Sequence, residues 1–339
     1  MNLTLFADQI LSERDRKTLA IIEAIRKGGA ISRVQISKVT EQNLVTVSKY
    51  VSDLVNRGIV LEKGLDVSTG GRRPALVELN ASACCAIGLS IHPERAFGVL
   101  LNLKAQIVAR TQQPGVTVTT EKDLEAVRPI IDELIKQAHV DSTAVRGIGI
   151  GLPHVMTAGR RLAFHDLINR ITQKPVSVER DLVLGSLAEQ WLSTDRAFKN
   201  VLYLHGTRGA CLVVNGRVYR GTGQLAGNLT LFRGDDIQRV ERLLSGTQFP
   251  EAEVQWLSTL LGDALVPFVN MLAPEAIVLG GGFDRLGSAL LDRVGDAIKR
   301  HAIEEVGAQI SLVPARLGEE APAIGAAGIM LTEAFLTRG

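Results

Sequence analysis

Ser68-Thr69-Gly70-Gly71-Arg72-Arg73-Pro74 decides the reading of the first quarter of this chain. Two adjacent glycines open backbone conformations closed to other residues, and Pro74 stiffens the exit. The tip therefore offers Arg72 and Arg73 to a phosphate backbone or a minor groove. Taken by itself, such a loop is equally well explained as a solvated basic turn. The pattern in front of it favours the first reading.

Working backwards, Arg14 to Lys27 carries Leu19, Ile22 and Ile25 at helical spacing and stops at Gly28-Gly29. Ser32 caps a short second helix with Val34, Ile36 and Val39 expected inward. Thr40-Glu41-Gln42 forms a turn, and Asn43 caps a third helix. In that third helix Leu44, Val47, Tyr50, Val51, Leu54 and Val55 are expected to face inward. Val45, Thr46, Ser48, Lys49 and Ser52 then point outward near the amino end that enters a major groove. Ile59-Val60-Leu61 and Leu76-Val77-Glu78-Leu79 read as the two strands flanking the glycine-arginine tip. Three helices followed by strand, wing and strand is the order of a winged helix-turn-helix, placed here at residues 1–80. Its candidate DNA-binding set is Asn43, Val45, Thr46, Ser48, Lys49, Ser52, Arg72 and Arg73. Lys49 and the two arginines serve the backbone or minor groove, and the short side chains set base preference.

Composition bounds the rest. The chain has 339 residues, 46% of them hydrophobic and 22% charged, which describes an ordinary folded protein with a sizeable core. Net charge is only +2; residues 1–80 hold 12 Lys and Arg against 9 Asp and Glu, so the DNA reading rests on placement rather than on bulk charge. Cys84-Cys85 and the isolated Cys211 offer neither a disulfide framework nor a C-x-x-C metal site, which points to a reducing, cytoplasmic setting. Asp8, Glu13, Arg14 and Asp15 interrupt the apolar core that a signal peptide needs, and no run reaches the length of a membrane span. Leu3, Phe6, Ile10 and Leu11 suggest a short amphipathic helix within residues 1–13.

After Asn80-Ala81-Ser82 the pattern changes. Strands at Ala86–Ile91, Ala96–Leu101 and Gln106–Ala109 read as a meander, followed by a helix from Glu121 to His139 and a buried strand at Gly147–Leu152. A second cycle starts at Asn200, with Val201–Leu204, the turn Gly206-Thr207-Arg208-Gly209, and strands at Ala210–Val214 and Arg217–Tyr219. Two similar units imply an internally duplicated α/β domain with a cleft between its halves, about 83–185 and 186–339. Ala273 to Gly282 reads as a strand ending in a triple glycine, suited to phosphate approach, to a close helix start, or simply to a tight turn. Helical stretches at Glu251–Leu272 and Ser288–Val306 suit packing within one subunit or between two.

These residues resemble the ROK family, which comprises sugar kinases and sugar-responsive repressors. The resemblance is carried by Ser68–Pro74, Gly147–Pro153, Asn215–Gly221, Pro274–Gly282 and Ala323-Ile324-Gly325-Ala326-Ala327. It implies an actin-like, hexokinase-like (ribonuclease H-like) two-lobed ROK domain at 83–339 behind the winged helix-turn-helix. It also implies a homodimer or tetramer that presents two reading heads to a palindromic, double-stranded DNA operator. Family kinases usually lack the N-terminal extension, so its presence places the chain with the repressors of carbohydrate metabolism genes. Effector binding would then close the lobes and alter the spacing of the heads.

Departures from the family's kinase pattern point the same way. The first glycine-rich turn of the kinases carries an aspartate, whereas here it reads Gly88-Leu89-Ser90-Ile91-His92. Arg208 stands in the second phosphate turn, and Glu179-Arg180-Asp181 replaces the asparagine-aspartate pair of the kinases. Arg180 is expected to hold Asp181 ionised, which argues against a working base. Ala226-Gly227-Asn228-Leu229-Thr230-Leu231 lacks the glutamate and histidine of the kinase motif, and residues 232–250 contain neither Cys nor His, so no zinc site is expected. The short run from Leu231 to the helix at Glu251 suggests that the zinc-bearing subdomain has been trimmed away. No catalytic residue and no cofactor are therefore assigned. The candidate ligand-binding set is His154, Arg180, Asp181, Arg208 and Asn228; His165 and His154 are expected in loops. Two readings stay open: an arginine clamp for a sugar phosphate or sugar acid, or arginines that pair internally in a vestigial cleft.

Overall fold

The computed structural model describes residues 11–65, 75–92, 95–114, 127–153, 158–193, 198–227, 229 and 231–336. The wing tip with Arg72 and Arg73, the ligand candidates His154 and Asn228, and nearly all of the proposed 1–13 helix lie outside them. Two compact units divide the chain. One comprises Met1–Leu152, Met156–Glu179 and Ala323–Gly339; the other comprises Pro153–Val155 and Arg180–Pro322.

The first unit begins with α1 (Glu13–Gly28), capped by Ser12, whose side chain accepts from the Asp15 amide. Strand β1 (Ile31–Ser32) leads into α2 (Arg33–Thr40), where Ser32 and Gln35 form a reciprocal capping box. Glu41 then turns through the left-handed region (φ 55°), and Asn43 opens α3 (Leu44–Asn56). Strands β2 (Val60–Leu65) and β3 (Ala75–Leu79) pair antiparallel, and β1 adds to the far edge of β3. Leu19, Ile22, Ile25, Ile36, Val47, Val51, Leu54 and Val77 are fully buried and form the core of this head. Each such side chain contributes about 1.5–3 kcal/mol over an exposed one. Val34 and Val39, expected inward, are 46% and 69% exposed. An eight-residue helix turns only a narrow stripe to the core, and Ile36 alone fills it. Leu44, also expected inward, is 45% exposed because it opens α3, one turn ahead of the first buried residue, Val47.

A five-stranded sheet follows, in the order β6-β5-β4-β7-β8, made of β4 (Cys85–Ile91), β5 (Arg95–Asn102), β6 (Ile107–Pro114), β7 (Val145–Leu152) and β8 (Val176–Arg180). Helix α4 (Val127–Ala138) buries Val127, Ile130, Ile131 and Leu134 in the core of this sheet; the part of the expected helix before residue 127 lies outside the described residues. Helix α5 (Ala158–Thr172) precedes β8 and places His165 on a helix rather than in a loop.

The last helix, α11 (Ala321–Phe335), explains two glycines in the sheet. A Cβ at Gly88 would overlap the Ala323 carbonyl oxygen, and one at Gly149 would overlap that of Ala326. The helix can lie this close only because two strands lack side chains there. Arg57, just past α3, donates to the Phe335 carbonyl (3.1 Å), and Lys104 pairs with Glu78 of β3. The reading head is thus tied to the sheet behind it.

The second unit repeats the strand order. Its sheet runs β11-β10-β9-β12-β13, from β9 (Val201–His205), β10 (Ala210–Val214), β11 (Arg217–Val218), β12 (Ala276–Gly280) and β13 (Ser311–Pro314). In both sheets the first strand pairs antiparallel with the second and parallel with the fourth. That equivalence is the internal duplication anticipated from the repeated pattern. Helix α6 (Asp181–Ala188) opens the unit. Residues 231–250 do not form a bare connection, because α7 (Asp235–Ser245) occupies them and buries Val240, Leu243 and Leu244. Helices α8 (Glu251–Leu272) and α9 (Ser288–His301) pack on each other so tightly that a Cβ at Gly262 would crowd Ala297. The helix expected to Val306 breaks at Ala302, and α10 (Glu304–Gly307) follows.

Candidate functional site

Two places gather the residues singled out by the sequence. On α3, Val47, Val51 and Leu54 are buried, whereas Val45 is 81% exposed and Lys49 and Ser52 also face solvent. Thr46 and Ser48 are half-buried. The helical period delivers this split: three apolar positions pin the helix and the intervening ones are left for a partner. Asn43 is the exception in the predicted set. Its Oδ1 accepts from the Thr46 amide at 2.7 Å, so its side chain is occupied in holding the helix start.

The second place lies at one end of the β9 sheet. Asp181 is the first residue of α6 and only 2% exposed, with its Oδ1 accepting from the Leu182 amide (2.8 Å). Arg208 Nη1 stands 3.9 Å from its other carboxylate oxygen. Burial pushes the Asp181 carboxyl up to about 6, against the opposing pull of Arg208, the Leu182 amide and Arg180. Arg180 does favour the ionised form, as expected, but its pull is outweighed by burial. Desolvation is the larger effect, and the Arg180 guanidinium is aimed elsewhere, donating to the Ala226 carbonyl at 2.7 Å.

Two backbone donors of the Gly206-Thr207-Arg208-Gly209 turn, and those of the residues on either side of it, are bonded within the protein. The His205 amide donates to Gly209, Gly206 to Gly280, Arg208 to His205, and Ala210 to Gly227, at 2.8–3.1 Å. Gly227 (φ 89°) is required where the chain passes that turn, since a Cβ there would overlap the Ala210 carbonyl. Thr207 Oγ1 donates to Glu241 (3.0 Å). At the triple glycine, Gly281 and Gly282 both have positive φ and feed a short 3-10 turn, Phe283–Leu286. In the first unit Ser90 is fully buried, and its hydroxyl lies 3.1 Å from Nε2 of the buried His92.

One residue escaped the sequence reading. His205 closes β9 and is 3% exposed, and neither of its ring nitrogens has a hydrogen-bond partner among the described residues. Burial, helped by the nearby Arg208 charge, drives its pKa down to about 3, so the ring is neutral. The available signal was a histidine ending the strand Val201-Leu202-Tyr203-Leu204, directly before the glycine turn. No group of three or more His, Cys, Asp or Glu among the described residues is arranged to hold a metal ion, and no described helix is long and apolar enough to cross a membrane.

The ROK family model matches residues 86–230 and 235–333, which takes in both sheets and the Asp181 cluster. The chain belongs to the ROK family. A xylose repressor of Bacillus spizizenii is 25% identical over 378 residues, covering 97% of this chain and 98% of the relative. Among solved structures, a ROK family transcriptional regulator, homologous to the MLC protein of E. coli, has a TM-score of 0.72 at 19% identity, covering 95% of this chain and 97% of that one. A ROK hexokinase from Thermus thermophilus has a TM-score of 0.58 at 21% identity and covers 99% of its own length but 74% of this chain. These likenesses establish a two-lobed ROK fold behind an N-terminal head.

Proposed function

We propose that this ROK protein is a sugar-responsive, DNA-binding repressor of carbohydrate metabolism genes, acting in the cytoplasm as a homodimer or tetramer and not as an enzyme. The observation that carries the proposal is α3, which is pinned by Val47, Val51 and Leu54 and leaves Val45, Lys49 and Ser52 in solvent. Its full-length likeness to a protein named xylose repressor supports the same reading. Lys49, with Arg72 and Arg73 from the wing, supplies backbone or minor-groove contacts, while Val45, Thr46, Ser48 and Ser52 face the bases.

Effector recognition is assigned to Arg180, Asp181 and Arg208 of the second unit, with His154 and Asn228 from the flanking segments. Two features speak against kinase chemistry: a guanidinium, Arg208, stands in the second glycine turn, and the position of a kinase aspartate holds Ser90, whose hydroxyl lies 3.1 Å from His92 Nε2. A second reading, a DNA-binding regulator without any effector, is favoured by one observation: Arg180 is bonded to Ala226 and Arg208 lies beside Asp181, as internal pairing requires.

Capture of genomic fragments on the full-length protein, followed by titration of the best fragment with neutral, acidic and phosphorylated sugars, separates these readings. Release by one sugar supports the repressor with an effector. Sequence-specific binding that no sugar relieves supports the second reading, and ATP-dependent phosphorylation of a sugar contradicts both.

A further inference from the structure

The amino end of α3 is unusual for what it exposes. Leu44 and Val45, its first two residues, are 45% and 81% exposed, so two branched apolar side chains stand in water on a fully folded head. Several hydrogen-bonding side chains nearby are committed elsewhere. Asn43 caps the helix through the Thr46 amide, Ser37 Oγ donates to the Gln42 carbonyl (2.6 Å), Thr40 Oγ1 donates to the Ile36 carbonyl (2.7 Å), and Arg33 pairs with Glu62 (2.8 Å). The first turn of the helix therefore presents methyl groups where a base-reading helix often presents a bidentate amide or guanidinium.

In the major groove only thymine offers a methyl group, at C5, and apolar side chains read it by excluding water from it. Resting on the DNA-binding reading above, we infer that Val45, with Leu44 beside it, recognises a thymine methyl in each half-site, and that this contact sets base preference at that position. Specificity there comes from a hydrophobic contact, so it depends on one methyl group of the DNA and one side chain of the protein. Removing either should cost the same, and removing both should cost no more than removing one.

The test uses the full-length protein and the tightest genomic duplex that it captures. Each thymine is replaced in turn by uracil, which deletes the C5 methyl and leaves every hydrogen-bonding group in place. Burying one methyl is worth a factor of about four in affinity. At one position per half-site, a single uracil should weaken binding about fourfold for wild type and not at all for Val45→Ala, while Val45→Ala, which acts in both half-sites, costs about as much as uracil placed in both. Because Val45 is so exposed, the variant should melt within about 0.5 kcal/mol of wild type. A 5-methylcytosine placed at the sensitive position should bind more tightly than cytosine for wild type only. Tight binding of the captured duplex with no uracil-sensitive position, or a uracil penalty that persists in Val45→Ala, overturns the methyl contact and leaves the repressor reading intact. Failure to capture any duplex overturns both.

Discussion

The amino end of α3 and the turn around His205 both gather residues suited to recognition, yet the fold treats them in opposite ways. On α3, Val45, Lys49 and Ser52 are left in solvent. Around the turn, Asp181 and His205 are almost completely buried, and the amides of His205, Gly206, Arg208 and Ala210 donate to backbone carbonyls. A surface kept open at the cost of exposed apolar groups is built for an external partner. A buried polar cluster meets a ligand through its exposed member, here Arg208, whose side chain is 38% exposed. The reading head and the kinase-like lobe thus stand at different distances from function, and substitutions should reveal that difference.

The largest effects should come from the buried side of the comparison. Gly149→Ala would drive a Cβ into the Ala326 carbonyl of α11, where only backbone movement can relieve it. We expect a loss of about 3 kcal/mol or more by chemical denaturation, against less than about 0.5 kcal/mol for Ser52→Ala on the open surface. Comparable losses at the two sites would dissolve the contrast.

Acid should expose His205 next. Its folded pKa of about 3 lies below the ordinary 6.5, so the fold requires the neutral ring. The stability that this requirement carries is present above pH 6.5 and is lost as pH falls towards 3, by about 1.4 kcal/mol per pH unit. His205→Leu should shift the acid-unfolding midpoint downward, as followed by tryptophan fluorescence.

Asp181 slopes the other way. Its folded value of about 6 stands above the ordinary 3.8, so burial favours the protonated form; the associated stability is present below 3.8 and is lost as pH rises through 6. Asp181→Asn should therefore stabilise the protein by up to about 3 kcal/mol at pH 7.5, with the gain vanishing below pH 4. An unchanged melting temperature at pH 7.5 would show that the carboxylate is better compensated by Arg208 than the 3.9 Å separation implies.

The smallest effect on stability, and the clearest on binding, should come from Lys49→Ala. It should leave the melting temperature unchanged, weaken all DNA sequences alike, and reduce the salt slope of binding by about one.

The sequence carried the fold well wherever period and punctuation agreed. Ser32 and Asn43 cap the helices they were expected to cap, the two strand meanders recur with the same order, and the glycine and alanine motifs mark close backbone approaches. Short elements misled it. Helix α2 is too brief for three buried positions, so Val34 and Val39 ended in water, and α7 was hidden in a segment read only for missing zinc ligands. Of the candidate site, the neighbourhood of Arg208 and Asp181 was legible. Its balance of forces was not, because burial, which decides the protonation of Asp181 and His205, depends on residues far apart in the chain.

A single titration asks whether the open helix and the ROK lobes act as one regulator. Full-length protein bound to its best captured duplex is challenged with a panel of neutral, acidic and phosphorylated sugars, and the bound fraction is read by fluorescence anisotropy. Tight, salt-dependent, sequence-specific binding that one sugar relieves is the expected result. Binding that is equally weak on every duplex, with or without sugar, would contradict it.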